Sequence, residues 1–111
     1  MTFANTALDL GNFLSYLSRR QEVVASNIAN ADTPGYKTRD LPPPQAFSDL
    51  LHESSLGAEE ISGLPARNDG NNVSMDREAR ILAENTLRFN LASQMIKGEI
   101  RDLKSAITEG R

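Results

Sequence analysis

Apolar residues near both ends of the chain recur in alternating steps of four and three, with mostly polar residues between them. This heptad spacing is typical of helices that pack along one side against a partner helix. At the N-terminus it predicts a coiled-coil helix over residues 1–31, which would be roughly 45 Å long at about 1.5 Å per residue. Its apolar line, the N-terminal seam, consists of Phe3, Ala7, Leu10, Leu14, Leu17, Val24, Ile28 and Ala31.

The same spacing predicts a second coiled-coil helix over residues 73–109. Ser74 is a candidate N-cap, and Asp76 and Glu78 place negative charge in the first turn, where the helix dipole favours it. The apolar line of this helix, the C-terminal seam, consists of Met75, Ala79, Leu82, Thr86, Phe89, Ser93, Ile96, Ile100, Leu103 and Ile107. The simplest packing of the two helices is an antiparallel coiled-coil hairpin.

The middle of the chain, residues 32–72, lacks a sustained period and contains all five prolines. Pro34 and Gly35 fit the second and third positions of a tight turn, because proline fixes φ and glycine accepts a positive φ. Residues 44–52 have a weak helical period and are a candidate short helix. We expect the remainder to be an irregular linker. The predicted fold class is therefore mainly α, with two long terminal helices joined by an irregular Pro/Gly-rich middle.

Each predicted helix carries a second apolar line beside its seam. These lines are Phe13, Tyr16 and Val23 on the first helix, and Leu87, Leu91 and Met95 on the second. A pair of helices buries only one stripe of each partner, so the second lines would face water in a single chain. Chains with such exposed lines usually bury them against other subunits. The pattern therefore indicates a protein that assembles.

Composition and motifs argue against catalysis. The chain has one histidine, His52, and no cysteine, and we find no phosphate-binding glycine motif. We expect no catalytic, cofactor-binding or metal-binding site and no small-molecule substrate. The net charge of −3 argues against a nucleic-acid partner. The sequence shows no run of about 18 apolar residues that could span a membrane, and its N-terminus lacks the features of a cleavable signal peptide.

One stretch carries a specific resemblance to a known family. Asn27–Tyr36 reads Asn-Ile-Ala-Asn-Ala-Asp-Thr-Pro-Gly-Tyr and resembles the N-terminal signature of the bacterial flagellar axial proteins, the rod, hook and hook-associated subunits. Asp32 stands where that family more often has asparagine. Gly70–Glu78 and Leu82–Phe89 resemble the C-terminal segment of its proximal rod branch. The residues of the turn motif are Asn27, Ile28, Asn30, Thr33, Pro34, Gly35 and Tyr36.

The resemblance implies a structural subunit of the flagellar basal-body rod. Such subunits are exported through the flagellar type III apparatus without signal cleavage, and they assemble helically into the drive shaft that crosses the periplasm. The implied partners are other copies of the chain, the basal adaptor protein FliE and neighbouring rod proteins such as FlgC. The two terminal helices would together form one inner-core domain.

On this interpretation the seams hold the helix pair and the turn motif fixes the exit of the chain from it. The seam residues expected to do so are Phe3, Leu10, Leu14, Leu17, Val24, Leu82, Phe89, Ile96, Ile100 and Leu103. Three alternatives stay open: a cytoplasmic helical adaptor or secretion chaperone, another rod subunit of the same family, and a small enzyme. The C-terminal segment argues against the second, and no polar constellation supports the third.

Overall fold

Two long helices packed side by side make up most of the computed structural model, which describes residues 3–42 and 57–110. In chain order the elements are helix α1 (Phe3–Ala29), strand β1 (Arg39–Asp40), strand β2 (Glu59–Glu60) and helix α2 (Met75–Glu109). The prediction of a mainly α fold with two terminal helices and an irregular middle is confirmed. The candidate short helix at residues 44–52, with His52, lies outside the described residues.

Hydrogen bonds and charges at its two ends explain where α2 begins and ends. Ser74 has extended backbone angles, and its hydroxyl accepts a hydrogen bond of 3.3 Å from the Arg77 N–H, which caps α2. Asp76 and Glu78 lie in the first turn of α2. At the other end, the Gly110 N–H donates to the Ala106 carbonyl at 3.0 Å. The cap predicted from Ser74 is therefore present.

The two helices run antiparallel. The side chain of Asn27 reaches Glu78, and that of Asn85 reaches Gln21, so residue numbers fall along α1 as they rise along α2. The radius of gyration is 18.1 Å, whereas a globular domain of this length would have about 13 Å. The molecule is therefore an elongated hairpin, as the spacing of the apolar residues predicts.

The core lies along the inner face of this hairpin. Leu10, Leu17 and Val24 of α1 are buried at seven-residue intervals, and Ile81 and Ala92 are buried on α2. Near the middle of α1, a cluster of Tyr16, Leu17 and Leu41 is packed against Phe13 and Val23. Because Leu41 directly follows β1, this cluster attaches the middle segment to the side of α1.

A short antiparallel strand pair orders the two ends of the middle segment. Arg39 pairs with Glu60 and Asp40 with Glu59, and the Ile61 N–H donates to the Thr38 carbonyl at 3.0 Å. Neither dipeptide contains the β-branched or aromatic residues that favour strands. Backbone pairing alone forms this ladder.

The tight turn predicted from Pro34 and Gly35 is present. The Tyr36 N–H donates to the Thr33 carbonyl at 3.2 Å, and Gly35 has φ of 76° at the third position. Proline second and a positive φ third define a type II turn. The turn also lies against the start of the α2 segment, because the Gly35 N–H donates to the Asp69 carbonyl at 2.9 Å. A Cβ on Gly70 would lie only 3.4 Å from the Gly35 Cα.

Replacing Gly35 with valine should destabilise the hairpin by about 1–3 kcal/mol, since a β-branched residue strongly resists a positive φ. Gly35→Asn should restore most of the loss, because asparagine tolerates this conformation. The measurement is the free energy of urea unfolding followed by far-UV circular dichroism. Gly57→Val is the matched control, since Gly57 is exposed and has no positive φ. Equal stabilities of the two valine variants would contradict the prediction.

Candidate functional site

The side chain of Asn27 joins α1, the turn, β1 and α2. Its Nδ2 donates to the Arg39 carbonyl at 2.7 Å and to Oε2 of Glu78 at 3.1 Å. Its Oδ1 accepts from the Tyr36 hydroxyl at 2.9 Å and from the Arg39 N–H at 3.1 Å. All four hydrogen-bonding positions of the amide are used, and the residue is 0% exposed. No other residue type of this size could make the same four bonds.

A chain of charged side chains continues from this amide. Glu78 is also 0% exposed, and its Oε1 accepts from Nη1 of Arg77 at 2.7 Å. Nη2 of Arg77 donates in turn to Oδ2 of Asp40 at 2.9 Å. Arg20 of α1 approaches the same carboxylate from the other side and donates to both oxygens, each at 2.9 Å. We call the set Asn27, Tyr36, Glu78, Arg77, Asp40 and Arg20 the polar junction.

Two guanidinium groups surround the carboxylate of Asp40. Burial alone raises the pKa of this carboxyl, but the hydrogen bonds and charge of Arg20, the Leu41 N–H and the charge of Arg77 together hold its pKa below the usual value. The Asp40 and Arg20 side chains are 14% and 16% exposed, so water screens the pair only in part. The ionised form of Asp40 is therefore a stabilising part of the polar junction.

Two asparagines that directly precede α2, Asn71 and Asn72, form hydrogen bonds with the turn and with the residues on either side of it. Nδ2 of Asn71 donates to the carbonyls of Asn30 and Thr33 at 2.9 and 2.8 Å, and its Oδ1 accepts from the Val73 N–H. Each of these carbonyls also accepts a backbone N–H, from Thr33 and Tyr36 respectively, so Asn71 adds a second hydrogen bond to both. Oδ1 of Asn72 accepts from the Thr38 N–H at 2.6 Å. Two further side chains support the turn: Arg67 donates to the Ala31 carbonyl and Lys37 to the Gly70 carbonyl.

Reasoning from the sequence did not assign roles to Asn71, Asn72, Asp40 or Arg20. The resemblance of Gly70–Glu78 to the rod proteins was the one signal at Asn71 and Asn72. Arg20 gives no signal in the sequence, because an ion pair across 20 positions leaves no local pattern.

The residues of the turn motif fall into two groups. Asn27 and Tyr36 belong to the polar junction, whereas Asn30 acts locally: its Nδ2 donates to the Ser26 carbonyl at 2.8 Å and its Oδ1 accepts from the Thr33 hydroxyl at 3.0 Å. Ile28 is half-buried, and Thr33, Pro34 and Gly35 are exposed. The motif therefore combines a local cap with one long-range contact.

The seam residues are distributed unevenly between the interior and the surface. Leu10, Leu17 and Val24 are buried, and Leu14 is half-buried. On α2, Ile96 is half-buried, while the exposed fractions of Leu82, Phe89, Ile100 and Leu103 lie between 36% and 41%. The Phe3 side chain lies outside the described part. The buried residues of α2 form a line one position before the C-terminal seam: Glu78, Ile81, Asn85 and Ala92.

The arrangement positions the chain and offers no reactive centre. Among residues 3–42 and 57–110, no group of three or more His, Cys, Asp or Glu side chains is placed to hold a metal ion. Within the same ranges, no helix is long and apolar enough to cross a membrane. What the site does physically is fix the angle and register between two helices and the segment that leaves them.

Comparison with known proteins places the turn motif in a family. A family model described as "Flagella basal body rod protein" matches residues 14–37, which include the whole turn motif. The flagellar basal body rod protein FlgB of Bacillus subtilis (strain 168) is 30% identical to this chain, over 98% of each. The FlgB protein of Aeromonas hydrophila is 33% identical, over 85% of this chain and 86% of that protein.

The chain belongs to the FlgB family of flagellar basal body rod proteins. The FlgB protein of Escherichia coli (strain K12), which is 29% identical over 87% of this chain, supports the same assignment. The chain is thus a structural protein of the flagellar basal body and not an enzyme. Membership confirms the resemblance found in Asn27–Tyr36 and decides against the cytoplasmic adaptor and the small enzyme.

Asn27→Leu should destabilise the protein by about 3–5 kcal/mol, because it leaves Oε2 of the buried Glu78 carboxylate and the N–H and carbonyl of Arg39 without their hydrogen-bond partner. Leucine has the same branched arrangement of non-hydrogen side-chain atoms as asparagine and is somewhat larger, so the loss does not arise from a cavity. Urea unfolding followed by circular dichroism measures it. Asn68→Leu is the control, since Asn68 is exposed. An unfolding midpoint of Asn27→Leu equal to that of the control would refute the role given to this amide.

Asp40 should make the stability depend on pH. Its pKa is lower in the folded chain than in the unfolded chain, so its contribution is present above the unfolded value of about 3.9 and is lost as pH falls below it. Asp40→Asn should cost about 1.5–3 kcal/mol at neutral pH and should flatten the dependence of the melting temperature on pH between neutrality and acid. Asp32→Asn, at an exposed carboxylate, should keep the wild-type dependence. Parallel pH curves for wild type and Asp40→Asn would contradict this assignment.

Proposed function

We propose that the chain is a proximal rod subunit that is exported unfolded through the flagellar type III apparatus and assembles helically into the drive shaft within the periplasm. Its two helices would form one inner-core domain, with residues 1–31 and 73–109 as the helical parts and residues 32–72 as the connecting region. No signal peptide would be cleaved. The proposal extends the family membership to a place in the rod and a route to it.

The observation that carries this proposal is the apolar surface of α2. Of the large apolar side chains that are exposed in the described ranges, all but Leu8 lie on α2: Met75, Leu82, Leu87, Phe89, Leu91, Met95, Ile100, Leu103 and Ile107. Large apolar side chains exposed in such number along one helix usually mark an interface. They lie on both flanks of the helix, so α2 is suited to contact more than one neighbour.

The seams and the polar junction would have different tasks in the assembled rod. The N-terminal seam buries Leu10, Leu17 and Val24 inside each subunit. The C-terminal seam, with Leu82, Phe89, Ile100 and Leu103 exposed, would add contacts between subunits. The polar junction and the type II turn would fix the direction in which the chain leaves the helical layer. Correct placement of the middle segment on the outside of the rod would depend on that direction.

The proposed partners are those that the family resemblance implies, and the apolar surface of α2 is suited to contact them. Other copies of this chain would occupy neighbouring positions, the basal adaptor protein FliE would lie beneath, and rod proteins such as FlgC would continue the shaft. A helix pair with a thin core gains stability when neighbours cover its apolar lines, since binding to the folded form shifts the folding equilibrium. Assembly and full ordering of the helices would thus be coupled.

Replacing Leu87 and Leu91 together with glutamine should block assembly without unfolding the subunit. Both side chains are more than half exposed, at 62% and 54%, so their loss should change the stability of the isolated chain by no more than about 0.5 kcal/mol. Swimming motility and recovery of the chain in purified basal bodies are the measurements. The double change to methionine keeps the surface apolar and should preserve both. Normal basal bodies in the glutamine variant would count against an interface at this surface.

A further inference from the structure

A groove between the helices remains unfilled in the single chain. It has a volume of about 400 Å³, and its apolar walls are formed by Leu17 and Ala25 of α1 and Phe89 of α2. Gln21 and Asn85 lie along it, and Glu22 lines it beside them. We call it the Leu17–Phe89 groove. Phe89 is 41% exposed although it borders the buried Leu17, so an occupant would bury apolar surface of Phe89.

The groove contains a hydrogen-bond acceptor without a donor. Asn85 is 2% exposed; its Nδ2 donates to Gln21 at 3.4 Å, while its Oδ1 is buried and has no hydrogen-bond partner within residues 3–42 and 57–110. A buried acceptor that has lost water without gaining a donor costs free energy. The exposed carboxylate of Glu22 adds negative charge at the same place. The chemistry therefore favours an apolar occupant that also carries a cation or another donor.

The last turns of α2 have this chemistry. From Ile100 to Gly110 every residue is exposed, so this part of the helix presents side chains to solvent. Lys97, Ile100, Arg101 and Lys104 lie together along one face. The ion pair of Arg101 with Asp102 is 3.9 Å long and almost fully exposed, so it holds the guanidinium only weakly. A helical segment of this length is marginal in water without a partner.

We propose that the Leu17–Phe89 groove receives the Lys97–Lys104 face of α2 from a second copy of this chain. Ile100 would lie against the apolar walls, and the flanking cations would face Glu22 and Asn85. Because the groove and the helix end are different surfaces, the contact is heterologous and can repeat without closing. The inference rests on the proposed function and deepens it by naming the surfaces through which like subunits meet.

A single chain cannot make this contact with itself. Gln21 lies level with Asn85 in the hairpin, and Lys104 lies 19 positions further along α2, or roughly 28 Å at 1.5 Å per residue. A covalent link between the groove and Lys104 must therefore join two copies. The natural chain contains no cysteine, so introduced cysteines can be cross-linked without background.

The test is disulfide formation between two singly substituted chains that are produced together in the source bacterium, with basal bodies then purified. One chain carries Ser18→Cys or Ala25→Cys, at the two ends of the groove, and the other carries Lys104→Cys. The matched control replaces Lys104→Cys with Asp102→Cys, which is at nearly the same height but on the far side of the helix. We expect roughly tenfold more mixed disulfide with Lys104→Cys, since cysteines whose Cα atoms are more than about 7 Å apart do not bridge.

The outcomes separate this inference from the proposed function. Cross-linking through Lys104→Cys and not through Asp102→Cys supports the docking, and the groove cysteine that reacts gives the direction of the second helix. Equal yields from the two positions, or none from either in basal bodies that contain both chains, would overturn it while leaving the rod assignment intact. Recovery of the cysteine-free chain in basal bodies is scored separately, and its failure would instead reject the proposed function.

Discussion

The buried amide of Asn27 is the constraint on which the rest of the structure depends. It pairs with both backbone groups of Arg39 and also reaches the carboxylate of Glu78. A helix pair held by apolar side chains alone can slide by a turn at little cost, because one leucine replaces another. A helix pair joined by a fully hydrogen-bonded amide cannot slide in this way, since any shift leaves buried polar groups without partners. The polar junction thus provides specificity where the apolar core provides only attraction.

Apolar surface is divided unequally between the two helices. Helix α1 buries its heptad line within the hairpin, whereas α2 turns polar residues such as Glu78 and Asn85 inward and leaves Phe89 and Leu103 at the surface. The subunit is therefore well defined at the end where the turn lies. Towards the end of α2, by contrast, every residue from Ile100 to Gly110 is exposed. The same division explains how a chain of 111 residues can have a specific shape with a thin core.

The parts of the fold that follow from local chemistry could be predicted from the sequence. Heptad spacing indicated both helices, and proline with glycine indicated the tight turn. The polar junction could not be predicted, because Arg20, Asp40 and Glu78 are typical surface residues until the fold brings them together. Likewise, the pairing of Arg39–Asp40 with Glu59–Glu60 depends only on backbone groups. On α2, the buried polar residues Glu78 and Asn85 have the same spacing in the sequence as polar residues that face solvent. The heptad pattern therefore does not show which face of α2 lies inside the hairpin.

The distance along the chain between the partners of Asn27 sets the order of events when the protein folds. Glu78 lies 51 positions from Asn27 along the chain. Asn71 donates to the Thr33 carbonyl across 38 positions. No segment that ends before the start of α2 can complete the polar junction, because Arg77 and Glu78 lie on that helix. The contacts of Asn27 with Arg39 and of Arg20 with Asp40, by contrast, join residues within the first 40 positions. The junction therefore combines pairs that are close along the chain with pairs that are distant, and distant pairs are the slower ones to form.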